Sequence, residues 1–186
     1  MDKEKIRKSL YKYTEIMSMV NGVDVSTNKE FQKLYINFYM PCPVKDNFKA
    51  KYFDVFEKCK TQYLSFYEII KRLSVIKNSA EFSFTTKMLA TLDSSLPIWD
   101  NVIAKKLLIP GAPSEWKLES RLQYSMIAYE RLKDWYNHFL KTQDAIALLT
   151  KFDENFSEYK DSISTVKKID FMIWADDSET QFSSYM

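Results

Sequence analysis

Lys87 and Asp100 are the residues of this chain whose types and spacing best suit chemistry. They lie in the stretch Ser83 to Val102, SFTTKMLATLDSSLPIWDNV. The lysine stands near the start of a short apolar run, and the aspartate opens the next one after a Leu-Pro-Ile-Trp turn. An amine and a carboxylate on successive helix starts can share one cleft. There the amine can attack a sugar carbon while the carboxylate stabilises the positive charge building on it. Phe84, Met88 and Leu89 flank Lys87, so its stem should lie along the core with the ammonium at a cavity rim. Partial burial of that kind favours the neutral, nucleophilic amine. Asp100 also has a plain structural role, because an aspartate after Pro97 and before an apolar-periodic run makes a good N-cap. The two roles agree, since a capping carboxylate is rigidly aimed.

Few other residues compete. His138 is the only histidine, and Cys42 and Cys59 lack the spacing of a metal site, so no metal or other cofactor is expected. Ser94-Ser95 has no nucleophile-elbow context and reads as a turn. Most of the 29 aromatic residues should fill a core. Trp99, Tyr39 and Phe38 are the candidates for stacking on a base, or for filling the gap an extruded base leaves.

The elements that position these residues should all be helices. Glycine occurs only as Gly22 and Gly111 in 186 residues. Tight hairpins, Walker loops and dinucleotide fingerprints all need more glycine than that. At 46% hydrophobic and 28% charged, the composition is that of a globular chain. The net charge is +2, divided unevenly: residues 1–72 carry +5 and residues 73–186 carry −3. A basic first part could face a polyanion. Two unclustered cysteines fit a reduced, cytoplasmic setting; Met1 to Lys12 is charged throughout and unlike a signal peptide, and no apolar run approaches the ~18 residues of a membrane span.

Periodicity and punctuation predict seven or eight helices: 2–20, 28–39, a long stretch over 46–77, the short Lys87 helix capped by Ser83, Asp100 to about 108, a longest helix from Ser114 to about 141, and two more near 142–156 and 162–174. Phe53, Phe56, Tyr63, Phe66, Tyr67 and Ile70 form an aromatic face on the long stretch. Trp116, Leu122, Ile127, Leu132, Trp135 and Phe139 should turn inward on the longest helix. One all-α domain over 1–175 is expected, with a polar tail at 176–186 that frays.

Taken together, Lys87, the apolar helix after it and Leu96-Pro97-Ile98-Trp99-Asp100-Asn101-Val102 resemble the catalytic segment of the helix-hairpin-helix DNA glycosylases. Over most of its length the chain is similar to an uncharacterised bacterial family described as 8-oxoguanine-glycosylase-like. The shared features there are Phe31-Gln32, Phe38-Tyr39, Ser83 through Asp100, and Ile169-Asp170 with Trp174. The resemblance implies an all-α fold with a helix-hairpin-helix and a DNA glycosylase, with or without abasic-site lyase activity. Lys87 would attack the sugar carbon to form a Schiff base, and Asp100 would assist departure of the base. The glycines of the superfamily hairpin are absent from the matching stretch, Ala80 to Thr86. Ser83, Thr85 and Thr86, with the amides at that helix start, would hold a phosphate instead, and Lys105 would add a cation beside Asp100. The implied partner is double-stranded DNA, with no membrane and a monomeric protein. The alternative is a non-catalytic helical module of the same fold that binds DNA or a protein.

Overall fold

Side-chain caps write most of the helix starts. The computed structural model describes residues 2–40, 43–176 and 182, with Lys77 described through its backbone alone. Asp2 accepts from the amides of Glu4 and Lys5 to open α1 (Lys3–Met19). Asn28 caps α2 (Lys29–Tyr39) through the Phe31 amide. The single long helix expected over 46–77 is instead two, α3 (Asp46–Thr61) and α4 (Phe66–Lys77). Ser65 and Glu68 form a reciprocal capping box, which starts a new helix whatever precedes it. The break leaves Tyr63 96% exposed, outside the aromatic face it was expected to join.

Asn78 ends α4 in the left-handed conformation, and α5 (Phe82–Leu92) follows after a short turn. Its start precedes Ser83 and carries no side-chain cap, so Lys87 lies mid-helix rather than near the first turn. Asp100 opens α6 (Asn101–Leu107) as expected. α7 (Leu118–Phe139) begins later than Ser114 because a turn from Pro113 to Trp116 comes first. Trp116 is therefore outside the helix and exposed, and Ile127 faces away from the buried stripe that runs from Leu122 to Phe139. Thr142 caps α8 (Gln143–Asn155), and Ser157–Tyr159 makes a 3-10 turn. Ser164 caps α9 (Thr165–Trp174). Those nine α-helices and the 3-10 turn account for the regular structure, with no strand among the described residues. No helix among them is long and apolar enough to cross a membrane.

Three apolar clusters bind the helices. Phe31, Tyr35, Tyr52, Phe53 and Phe56 centre the first, between α2, α3 and α5. Trp135, Leu132 and Phe139 of α7 centre the second with Ile103 of α6 and Ile169 of α9. Leu10 and Tyr13 of α1 meet Phe152 and Phe171 in the third. Phe38, Leu89 and Leu148 each pack against two clusters, so the cores adjoin one another.

The most enclosed element is α9, in which every residue from Val166 to Ile173 is buried. An all-round buried helix is normally apolar all round. This one carries Lys167, Lys168 and Asp170 into the interior. Of the tail, Asp176 and Phe182 are described, and both are tied to the body. Asp176 pairs with Lys106 at 2.8 Å. The Phe182 amide donates to the Lys106 carbonyl, and its carbonyl accepts from Trp135 Nε1. The remaining tail residues, and Cys42, lie outside the described residues.

Candidate functional site

Asp100 is held by its own helix. One carboxylate oxygen, Oδ1, accepts from the amides of Val102 and Ile103, each at 2.9 Å, and the other has no hydrogen-bond partner among the described residues. The segment ahead of it is pinned to α5. The Thr86 hydroxyl accepts from the Trp99 amide at 3.1 Å, and the Trp99 ring stacks on Phe82 at 4.6 Å. The Trp99 indole N–H donates to the Ile109 carbonyl at 2.8 Å. Gly111 lets the loop after α6 close over that ring, since a Cβ there would stand 3.1 Å from it. Through these contacts the sequence Thr86…Trp99-Asp100 couples the Lys87 helix to the carboxylate.

Lys87 is held from the other side. Its ammonium donates to the carbonyl of Tyr39, the last residue of α2, at 2.9 Å, and lies 5.7 Å from the Phe84 ring centre. A cation on the last carbonyl of a helix is also a favourable end-cap. The α2–α5 distance is fixed by a buried phenol pair. The Tyr35 and Tyr52 hydroxyls hydrogen-bond at 2.7 Å, and Tyr52 donates on to the Phe84 carbonyl. Burial pushes both phenols well above their ordinary pKa, so they stay neutral.

Both Lys87 and Asp100 line one cavity of about 290 Å³, near the lower end of the ~300–1,000 Å³ typical of small-molecule sites. Phe38 and Tyr39 wall it from α2, Lys12 from α1, and Lys167, Asp170 and Trp174 from α9. Asp170 is buried at the cavity wall. The Tyr136 hydroxyl donates to its Oδ1 in a short bond, and Lys167 Nζ lies 3.4 Å from its Oδ2. Burial pushes the Asp170 carboxyl above the ordinary carboxylate range, against the pull of the Lys167 charge and the Tyr136 hydroxyl. Burial, reinforced by the Asp170 charge, sends the Tyr136 phenol well above its usual value.

The other expected site residues divide sharply. Thr85 and Thr86 are fully buried and their hydroxyls are spent inside, Thr85 on the Glu81 carbonyl and Thr86 on Ser83 and Trp99. They hold the helix start together and do not reach a phosphate. Ser83 stays half-buried and Lys105 is exposed. Trp99 is an interior clamp, not a wedge, and Tyr39 is a buried wall residue, whereas Phe38 is half-buried at the cavity. Ser83 borders a second hollow of about 180 Å³ at the α5 start, which Glu81 and Arg121 also line. Arg121 donates to Ser79 at 3.1 Å, and its buried Nε has no partner among the described residues. His138 is exposed, with Nδ1 against the Asp134 carbonyl. No metal-binding group of His, Cys, Asp and Glu occurs among the described residues.

No family model matches the chain, and neither a curated protein nor a solved structure matches it. The site therefore rests on its own geometry. Sequence reasoning missed Lys12, Lys167 and Arg121. Charged residues inside the otherwise apolar run Val166 to Trp174 were the available signal for Lys167, and helix α7 offered none for Arg121.

Proposed function

We propose that the protein is a DNA glycosylase that excises a base drawn into the Lys87–Asp100 cavity. The observation that carries this reading is the sharing of one cavity by that amine and that carboxylate. Lys87 Nζ attacks C1′ of the extruded nucleotide as the bond to the base breaks. The electron pair leaves with the base, and the amine passes its proton to the base or to water; the nitrogen lone pair then expels the ring oxygen O4′, which takes a proton from water, and the open sugar is held as a Schiff base at C1′. Asp100, fixed by two amides, turns its second oxygen to the positive charge that grows on the sugar. The chemistry needs no cofactor. Extruding the nucleotide costs a few kcal/mol, least for a damaged or mispaired base.

The surroundings support a duplex partner. A short turn joins α4 and α5 ahead of Lys87, and Asn78 supplies the left-handed residue that glycine would supply in a helix-hairpin-helix. Arg121 and Ser83 line the hollow at the start of α5, and a helix start beside a cation suits a phosphate. A second reading is favoured by the Lys87–Tyr39 and Asp100–Val102 hydrogen bonds, which are also structural caps. In that reading the protein is a non-catalytic helical module that binds DNA or a protein.

Borohydride trapping on duplexes bearing a panel of modified bases decides between them. Wild type should give a covalent adduct that Lys87→Gln abolishes. Asp100→Asn keeps a good N-cap yet should slow base release about 10²–10³-fold, the usual cost of losing one electrostatic stabiliser. A folded wild type yielding neither adduct nor abasic sites leaves the module reading standing.

A further inference from the structure

We propose that Lys167 is the residue that selects the base, by donating hydrogen bonds to a carbonyl oxygen on its edge, so that the cavity takes keto-bearing bases over amino-bearing ones. The inference deepens the base-excision reading and rests on it.

The argument starts from a helix that should not contain a lysine. Lys167 is only 7% exposed, on the most enclosed helix of the molecule. Its ammonium is caged by aromatic faces, 5.4 Å from the ring centres of Tyr13 and Phe171 and 5.8 Å from that of Tyr39. Such a cage holds a cation in place but accepts no hydrogen bond of ordinary strength. An ammonium carries three donors. The one acceptor it has among the described residues is Asp170 Oδ2 at 3.4 Å, well beyond the ~2.7–2.9 Å of a charge-assisted bond. At least two donors of a buried cation are thus left without a protein acceptor, on the wall of a cavity. A site that leaves buried donors unspent binds acceptors and penalises partners that cannot accept.

Of the other charged groups on that wall, Lys12 is exposed at the rim, outside any aromatic cage, and the rest are engaged. Lys87 holds the Tyr39 carbonyl, Asp100 holds the start of α6, and Asp170 takes the Tyr136 hydroxyl. None of them is an ammonium both buried and fixed in place as that of Lys167 is. A carbonyl oxygen presents two lone pairs to such donors, whereas an exocyclic amino group presents hydrogens to a positive charge.

Hypoxanthine and adenine differ by that substitution and serve as probes, titrated as free bases and followed by NMR on the lysine Nζ signals. Wild type should bind hypoxanthine at least tenfold more tightly than adenine, with the Lys167 Nζ resonance among those that move. Lys167→Met should bring hypoxanthine affinity down to that of adenine and leave adenine unchanged. Equal affinity of wild type for the two bases, or no binding of either, overturns the proposal, and that comparison needs no variant to fold. So does a Lys167→Met protein that weakens both bases alike. Trapping on duplex substrates is scored separately: discrimination without base release sinks the excision reading alone, and base release without discrimination sinks this inference alone.

Discussion

Asp170 shows how a single buried group ties stability to the candidate site. Its carboxyl is pushed up by burial, so in the folded protein the proton is held to higher pH than in the unfolded chain. For an acid shifted in that direction the stabilisation is complete below the ordinary carboxylate pKa. It fades as pH rises through the raised folded value. Wild type should therefore lose stability over that window by this route. Asp170→Asn keeps an acceptor for Tyr136 and has no proton to release, so denaturant midpoints measured from pH 4 upward should lack this component of the decline. Parallel profiles for the two proteins would remove the buried carboxyl as its source. Residue types alone could not assign this role, because Asp170 looks like any helical aspartate until Tyr136, thirty-four positions away, meets it.

At the scale of elements, the register between α5 and α6 decides whether Lys87 and Asp100 share a wall. That register runs through the Thr86 hydroxyl, which is fully buried and takes the Trp99 amide. Thr86→Val preserves shape while leaving that amide unsatisfied, which should cost about 1–3 kcal/mol. If trapping is measured on the same protein, its rate should fall while DNA affinity is kept, since no surface group changes. A loss of affinity as large as the loss of rate would show that Thr86 acts on binding and not on the placement of Asp100. Two kinds of punctuation account for how these elements compare with expectation. A cap such as Asp100 acts within three residues, and it works in the fold as it reads in the sequence. The Ser65–Glu68 capping box is equally local and equally legible, but the continuous aromatic run around it reads as one helix. Threonines 85 and 86 read as phosphate ligands because a helix start says nothing about which of its sides faces the core.

For the molecule as a whole, the uneven charge acquires a location. Lys5, Ser9 and Lys12 fall on one stripe of α1. Ser9 and Lys12 line the cavity, and Lys5 lies 4.8 Å over the ring of Trp174, which lines it too. Both lysines are exposed, and no carboxylate pairs with either among the described residues. On the base-excision reading, a duplex delivering a nucleotide to the cavity would pass this stripe. If each lysine neutralises one phosphate, the Lys5→Gln/Lys12→Gln double variant should flatten the log-log salt dependence of duplex binding by about 1.8, or ~0.9 per phosphate. Anisotropy titrations across a salt series read this directly. An unchanged slope would move the duplex to another face.

The sequence by itself determined that this chain is all-helical, because two glycines and a 3.6-residue apolar rhythm leave little else for it to be. It also determined that Asp100 opens a helix, a matter of three neighbouring residues. Which groups share the cavity was decided only by the packing of α1, α2, α5, α6 and α9, because the partners are up to 165 residues apart. The same packing buried Trp99 and the two threonines and exposed Trp116 and Ile127. Local signals act through bonds a few residues long; burial is a property of surfaces that meet only once the helices have closed on one another.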